Sequence, residues 1–320
     1  MEQTIVAIHA HPDDIEFLAA GTLAGLSRAG IRVIMASMTA GDCGTVSLDP
    51  TEISQVRVRE AANSADLVGA RYYCLGFKDM AIFSDDASRR RITEFLRALR
   101  PSIVITSSPE DYMADHEATA VLVRDACFSA ALPNYETRHQ TPATPLPEIP
   151  ALYFMDPIGG VDRNQRPVIP DFVVDIEESF DLKIAMLMEH KSQKEWLRVR
   201  HGIENYVSIM QKWTRERGAL AGIRIGEGFR QYRGHPYPQD ERFQDLVRKH
   251  LHIPLALRGN DESDVVPAEE VPTQPVVTSD LELEPGTAEL TGIADGRMGE
   301  PIDDVAPSPW PEDRSAPTRS

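Results

Sequence analysis

Short apolar runs and amphipathic stretches alternate along the first half of the chain. Thr4–Ala10 (TIVAIHA) is a β-branched run with the pattern of a buried strand. Ile15–Ala29 has helical spacing and stops at Gly30, a residue suited to closing a helix. Arg32–Ser37 reads as a second strand and Thr51–Val68 as a helix closed by Gly69. Arg71–Leu75 and Ser102–Thr106 read as strands, Ser88–Leu99 and His116–Leu132 as helices. This order predicts an α/β fold, with a mainly parallel sheet covered by helices on both faces. The Pro-rich stretch Pro133–Pro150 is expected to run over the surface. Ala151–Met155 and Phe172–Ile176 are later strands, and Phe180, Ile184, Leu187 and Met188 share one helix face. A further helix is expected across Gln193–Arg217, and no internal repeat is visible.

Charge divides the chain. Lys and Arg number 33 against 50 Asp and Glu, a net of −17, which argues against a general affinity for nucleic acid or anionic membrane. Residues 261–320 hold 15 of the acids, 3 Arg, nine prolines and a single aromatic, Trp310. Such a segment buries too little apolar surface to offset its ordering entropy. The expected organisation is a folded body over 1–255 and a disordered acidic tail over 256–320. The three cysteines, Cys43, Cys74 and Cys127, are widely spaced and form no CxxC pair, which argues against a disulfide framework. Without an export signal or an 18-residue apolar run, the chain reads as a soluble, cytoplasmic protein with no membrane span.

In open α/β sheets the crevice lies at the carboxyl ends of the strands. His11-Pro12-Asp13-Asp14-Ile15-Glu16 follows the first strand there, and Glu110-Asp111-Tyr112-Met113-Ala114-Asp115-His116 follows the fourth. Two imidazoles and a carboxylate with one open position suit a catalytic zinc ion, and neighbouring aspartates can divide metal binding from general-base work. Taken singly, each element has a plainer reading. Asp13 or Asp14 would serve as a helix cap, and the Asp115-His116 pair would do the same for the helix after it. His9 is expected to be a core residue.

At these residues the chain resembles the LmbE-like or PIG-L-type zinc de-N-acetylases. Ala10–Glu16 (AHPDDIE) followed by Gly21-Thr22-Leu23-Ala24 resembles the opening signature. The likeness continues through Thr39–Asp42, Arg57–Ala61, Leu75–Asp79, Asp115–Thr119 and Lys183 to Gln193, in family order over roughly residues 4–235. It implies a Rossmann-like three-layer sandwich. By that resemblance His11, Asp14 and His116 are the ligands of Zn2+. Asp13 is the general base, and Asp115 is the carboxylate that family members pair with a second histidine. That histidine's position is Met113 here, and a thioether neither donates a hydrogen bond nor protonates an amine. Tyr112, His190 and His235 are the candidates to stand in for it. Arg57, Asp79, Asp42 and Tyr112 are expected to contact substrate.

The implied activity is a zinc-dependent N-deacetylase acting on a small N-acetylated substrate of the N-acetylglucosamine type, and the family favours a homo-oligomer. The alternatives are a deacylase of a non-sugar amide and a metal-retaining binding protein without turnover. A dinucleotide-binding protein is disfavoured, because the first turn is AHPDD and not a glycine-rich phosphate loop.

Overall fold

Seven strands form one sheet: β1 (Thr4–His9), β2 (Arg32–Thr39), β3 (Arg71–Phe77), β4 (Ile103–Thr106), β5 (Ala151–Met155), β6 (Phe172–Asp175) and β7 (Gly226–Gln231). Their order in space is β3-β2-β1-β4-β5-β7-β6. The computed structural model describes residues 3–251. The acidic tail expected over 256–320 lies outside the described residues, as does its boundary.

The first five strands run parallel, while β7 is antiparallel to both β5 and β6. Period-two alternation sends neighbouring side chains of β1 to opposite faces. Ile5 and Ala7 join a core with Met35, Ile103, Ile105 and Tyr153, which α1 (Asp14–Leu18), α2 (Ala20–Arg28), α6 (Phe180–Met188), α8 (Tyr206–Leu220) and α9 (Arg242–His250) cover. Val6 and Ile8 join a second core with Ile34, Val104 and Leu152, which α4 (Asp86–Leu99) and α5 (Ala114–Ala130) cover. Each fully buried aliphatic side chain stabilises this arrangement by roughly 1.5–3 kcal/mol before conformational entropy is counted. The result is the expected three-layer, Rossmann-like sandwich. Among the described residues no helix is long and apolar enough to cross a membrane.

Three departures from the expected elements have local causes. The helix expected over Ile15–Ala29 is two helices, broken at Ala19, whose φ is −137°. A buried ion pair fills the break. Glu227 accepts hydrogen bonds from the Gly21 and Thr22 amides at the start of α2, at 2.9 and 2.7 Å. Lys183 donates to Glu227 at 2.5 Å and to the Phe17 carbonyl of α1 at 2.7 Å. The orphan groups of both helix ends are thereby satisfied from elsewhere in the chain. The helix expected over Gln193–Arg217 is also two, α7 (Lys191–His201) and α8, separated after Gly202 at φ 64°. Asn205 caps α8 by accepting from the Ser208 amide at 3.1 Å. Finally, β7 and α9 were not expected. GEGFRQ is a poor strand former by propensity, yet glycine is required within it: a Cβ at Gly226 would come within 2.3 Å of Val173, and one at Gly228 within 2.2 Å of Asp156.

The helix α3 (Pro50–Asp66) begins as expected, with Asp49 and Glu52 forming a capping box and Pro50 in the first turn. Residues 133–150 carry no helix or strand, in line with the expected excursion.

Candidate active site

The strand order reverses between β1 and β4, and the two motifs meet at their carboxyl ends. Chain leaving β1 supplies His11, Asp13 and Asp14, while chain leaving β4 supplies Asp111, Asp115 and His116. All six are buried. This is the position at which doubly wound sheets open a crevice.

Asp14 is the centre of the cluster. Its Oδ2 lies 3.3 Å from His11 Nδ1 and 3.5 Å from His116 Nε2. It also accepts from His9 Nδ1 at 2.7 Å and from the His11 amide at 2.8 Å. Burial alone would raise the pKa of Asp14, but His9 and His116 hold it well below the usual carboxylate range.

Both outer imidazoles are held from behind. His116 Nδ1 faces Asp111 Oδ1 at 3.0 Å, and His116 Nε2 is buried with no hydrogen-bond partner. His11 Nε2 donates to Asp115 Oδ2 at 3.1 Å, which turns Nδ1 toward Asp14. Asp111 and Asp115 are themselves fixed by backbone amides, Ile158 at 3.2 Å and Met80 at 2.7 Å. Carboxylates that hold one imidazole nitrogen so that the other faces a cation are the usual outer partners of metal-binding histidines.

The donor types, two imidazoles and a carboxylate, suit zinc. Bonds of ~2.0–2.2 Å in a tetrahedral site set neighbouring donors ~3.3–3.5 Å apart. The His11 and His116 separations from Asp14 match that spacing, and the orphaned His116 Nε2 needs a partner. The trio at this cluster whose ligand atoms all lie within 4.8 Å of one another is His9, Asp14 and His116, which does not include His11. The 2.7 Å contact of His9 with Asp14 is, however, a hydrogen-bond length. His9 is therefore buried, as expected, but it has a part in the site that its core position alone does not suggest.

Asp13 sits beside this cluster in a strained backbone conformation, φ 99°. A residue with a β-carbon persists there only where its surroundings over-determine it. Arg57 Nη2 lies 3.2 Å from Asp13 Oδ1, and the Tyr206 hydroxyl donates to Asp13 Oδ2 at 2.7 Å. Burial pushes the Asp13 pKa up to about 6, against the lowering pull of Arg57. Arg57 also donates to the carbonyls of Pro12 and Gly41, at 2.7 and 3.4 Å. Gly41 is obligatory at this clasp, because its φ is 74° and a Cβ would collide with the guanidinium.

The remaining expected residues are spread around the mouth. Asp79 Oδ1 lies 3.9 Å from His11 Nε2, and the Asp79 amide donates to Asp42 at 2.8 Å. The ring of Tyr112 stands edge-on to His116 at 5.7 Å and is largely exposed. Met113 is the N-cap residue of α5, and its amide donates to Asp111 at 3.1 Å. His190 is buried with Nε2 3.1 Å from Glu16 Oε1. His235 is elsewhere, lining a surface groove of about 610 Å³ with Arg89, Arg124 and Tyr237.

Residues 6–127 match the family model described as PIG-L: GlcNAc-PI de-N-acetylase. This segment is similar to the PIG-L family. The match runs from β1 into α5 and so contains both halves of the His/Asp cluster. Among curated relatives of this chain is the diacetylchitobiose deacetylase of Thermococcus kodakarensis, 26% identical over 71% of this chain and 82% of the relative. Another is the probable N-acetyl-alpha-D-glucosaminyl L-malate deacetylase 2 of Bacillus cereus, 28% identical over 67% of this chain and 94% of the relative. The solved N,N'-diacetylchitobiose deacetylase of Pyrococcus horikoshii superposes with a TM-score of 0.63, at 26% identity, over 75% of this chain and 88% of that one.

Tyr206, His190, Lys183 and Glu227 lie beyond the matched PIG-L segment yet reach back into it. No local spacing in the sequence marks Tyr206 as a functional residue. His9 and Asp111 had a readable signal: one is two residues before His11, the other five before His116.

Proposed function

We propose that the protein is a zinc-dependent N-deacetylase acting on an N-acetylglucosamine-type sugar or conjugate. The observation that carries this reading is the pair of carboxylate-held imidazoles converging on Asp14, with Asp13, at a pKa of about 6, beside them. The relatives named as deacetylases of N-acetylated sugars support the same chemistry.

In this reading His11, Asp14 and His116 hold the metal. When bound, zinc supplies a Lewis acid that polarises the amide carbonyl and acidifies water at the site. Asp13 accepts a proton from the attacking water and returns it to the departing amine. A pKa near the working pH suits both halves of that task. Arg57 and Tyr206 fix the Asp13 carboxylate from either side. Asp111 and Asp115 orient the imidazoles, and His9 orients Asp14. Asp42, Asp79 and Tyr112 stand at the mouth, where sugar hydroxyls would bind. The three free cysteines suit a reducing, cytoplasmic location.

The test is amine release by full-length, zinc-loaded protein from N-acetylglucosamine, diacetylchitobiose and N-acetylglucosaminyl conjugates of malate and inositol. Stoichiometric acetate and free amine from at least one of them are expected. Zinc bound at full stoichiometry without release from any would sink the proposal.

A further inference from the structure

We propose that Asp42, Cys43 and Asp79 form a second metal-ion site at the mouth of the crevice, one that takes a thiophilic divalent ion of the zinc or cadmium class. Occupation of this site excludes substrate, a consequence that rests on the deacetylase reading above.

The three residues come from two loops that the sheet brings together. Asp42 and Cys43 follow β2, Asp79 follows β3, and these strands are parallel neighbours. One ligand atom from each of the three lies within 4.8 Å of the other two. The loops are cross-tied. The Cys43 amide donates to Asp79 Oδ2 at 2.9 Å, and the Asp79 amide donates to Asp42 Oδ1 at 2.8 Å.

Those ties leave one oxygen unaccounted for. The Asp79 side chain is 7% exposed. Its Oδ1 is buried and has no hydrogen-bond partner. His11 Nε2 stands 3.9 Å away and is already engaged by Asp115. A buried carboxylate oxygen in that state is destabilising unless a cation meets it.

The donor types select the ion. Two carboxylates alone would suit magnesium or calcium, but a thiolate beside them favours zinc or cadmium. Three protein donors leave a position open to solvent or to an incoming ligand. Cys43 is exposed, so its sulfur is free to turn inward. As the metal–sulfur bond forms, the thiol proton leaves to solvent. The site is distinct from the His11, Asp14 and His116 cluster, because it shares no ligand with that set. Since Asp42 and Asp79 are also the carboxylates set to hold sugar hydroxyls, an ion between them competes directly with substrate.

The experiment titrates full-length protein, already holding one equivalent of zinc, with cadmium. Bound metal is followed by equilibrium dialysis and metal–thiolate bonding by ultraviolet charge-transfer absorption. Wild type is expected to bind a second, weaker equivalent with a thiolate band. Cys43→Ser is expected to lose that band and to weaken the second equivalent by about tenfold or more while keeping the first. Asp79→Asn is expected to weaken the second equivalent likewise. In the amine-release assay, excess zinc should raise KM in wild type and leave kcat unchanged, and Cys43→Ser should resist it. A single equivalent in wild type, with Cys43 still open to thiol reagents, would overturn the site. So would a thiolate band that persists in Cys43→Ser. Failure of the deacetylase reading shows separately, as no amine release from either protein while the dialysis result stands.

Discussion

The hydroxyl of Tyr206 reaches across 193 residues of chain to donate to Oδ2 of Asp13 at 2.7 Å. The side chain sits in the first turn of α8, just after the break that separates it from α7. Tyr206→Phe removes only the donor. Metal content should be unchanged, kcat should fall by roughly 10–100-fold, about 1.4–2.7 kcal/mol, and the acid limb governed by Asp13 should move to higher pH, because the lost hydrogen bond had lowered its pKa. Unchanged kcat and pH profile would remove Tyr206 from the site.

Asp13 and Asp14 are adjacent but face different tasks. Asp13→Asn keeps the shape of the side chain and abolishes its capacity to take a proton. Zinc content should stay near that of wild type while turnover drops by about 10²–10⁴-fold. Asp14→Asn should instead lose metal. Metal analysis alongside steady-state kinetics checks both, and loss of zinc from Asp13→Asn would reassign it as a ligand.

Asp111 and Asp115 act on the metal through His116 and His11. Asp111→Asn and Asp115→Asn should each weaken zinc affinity by about 10–100-fold, measured by competition with a chromophoric chelator. An affinity equal to wild type in both would show that the imidazoles need no orientation from behind.

The buried pair between α1 and α2 makes a stability prediction. Lys183→Met leaves Glu227 charged and buried with no ammonium beside it. Removing one partner of such a pair costs about 3–5 kcal/mol. Urea unfolding should show that loss, and the double change Lys183→Met with Glu227→Gln should recover part of it.

Asp156, at the end of β5, gives a pH signature away from the metal cluster. Burial pushes its pKa up to about 6, although Arg217 from α8 and Arg230 from β7 pull it down. The folded state therefore binds the proton more tightly than the unfolded chain, whose carboxyl titrates near ~3.9. Its contribution to stability is present at low pH and is lost as pH rises from about 4 to about 6. Two pKa units at ~1.4 kcal/mol each bound the effect at about 2–3 kcal/mol. Urea unfolding of wild type and Asp156→Asn across that window should show a decline in wild type that the variant lacks. Parallel curves would place the titration elsewhere.

Much of this was legible in the chain itself. The alternation of β-branched runs and amphipathic stretches up to Leu132 yields four strands and their crossovers, because each burial pattern there is local. The motifs at the ends of β1 and β4 were readable for the same reason: a strand followed at once by titratable side chains. What stayed hidden depends on distant partners. Ala19 breaks a helix only because Glu227 and Lys183 supply its missing hydrogen bonds. The glycine-rich β7 is a strand only because β5 and β6 flank it. Arg57 carries an expected role at substrate, and its Nη atoms also reach Pro12, Asp13 and Gly41. Only the fold reveals which carbonyls stand within its reach.

The position of β7 has a consequence for how the sheet is completed. β6 precedes β7 in sequence but joins the sheet only through it. β6 is therefore tied into the sheet only once β5 is joined, some fifty residues further along the chain, by β7. That same strand carries Glu227 into the joint between α1 and α2. The base of the crevice, built at the ends of β1 and β4, is thus locked by a strand that lies more than a hundred residues further along the chain.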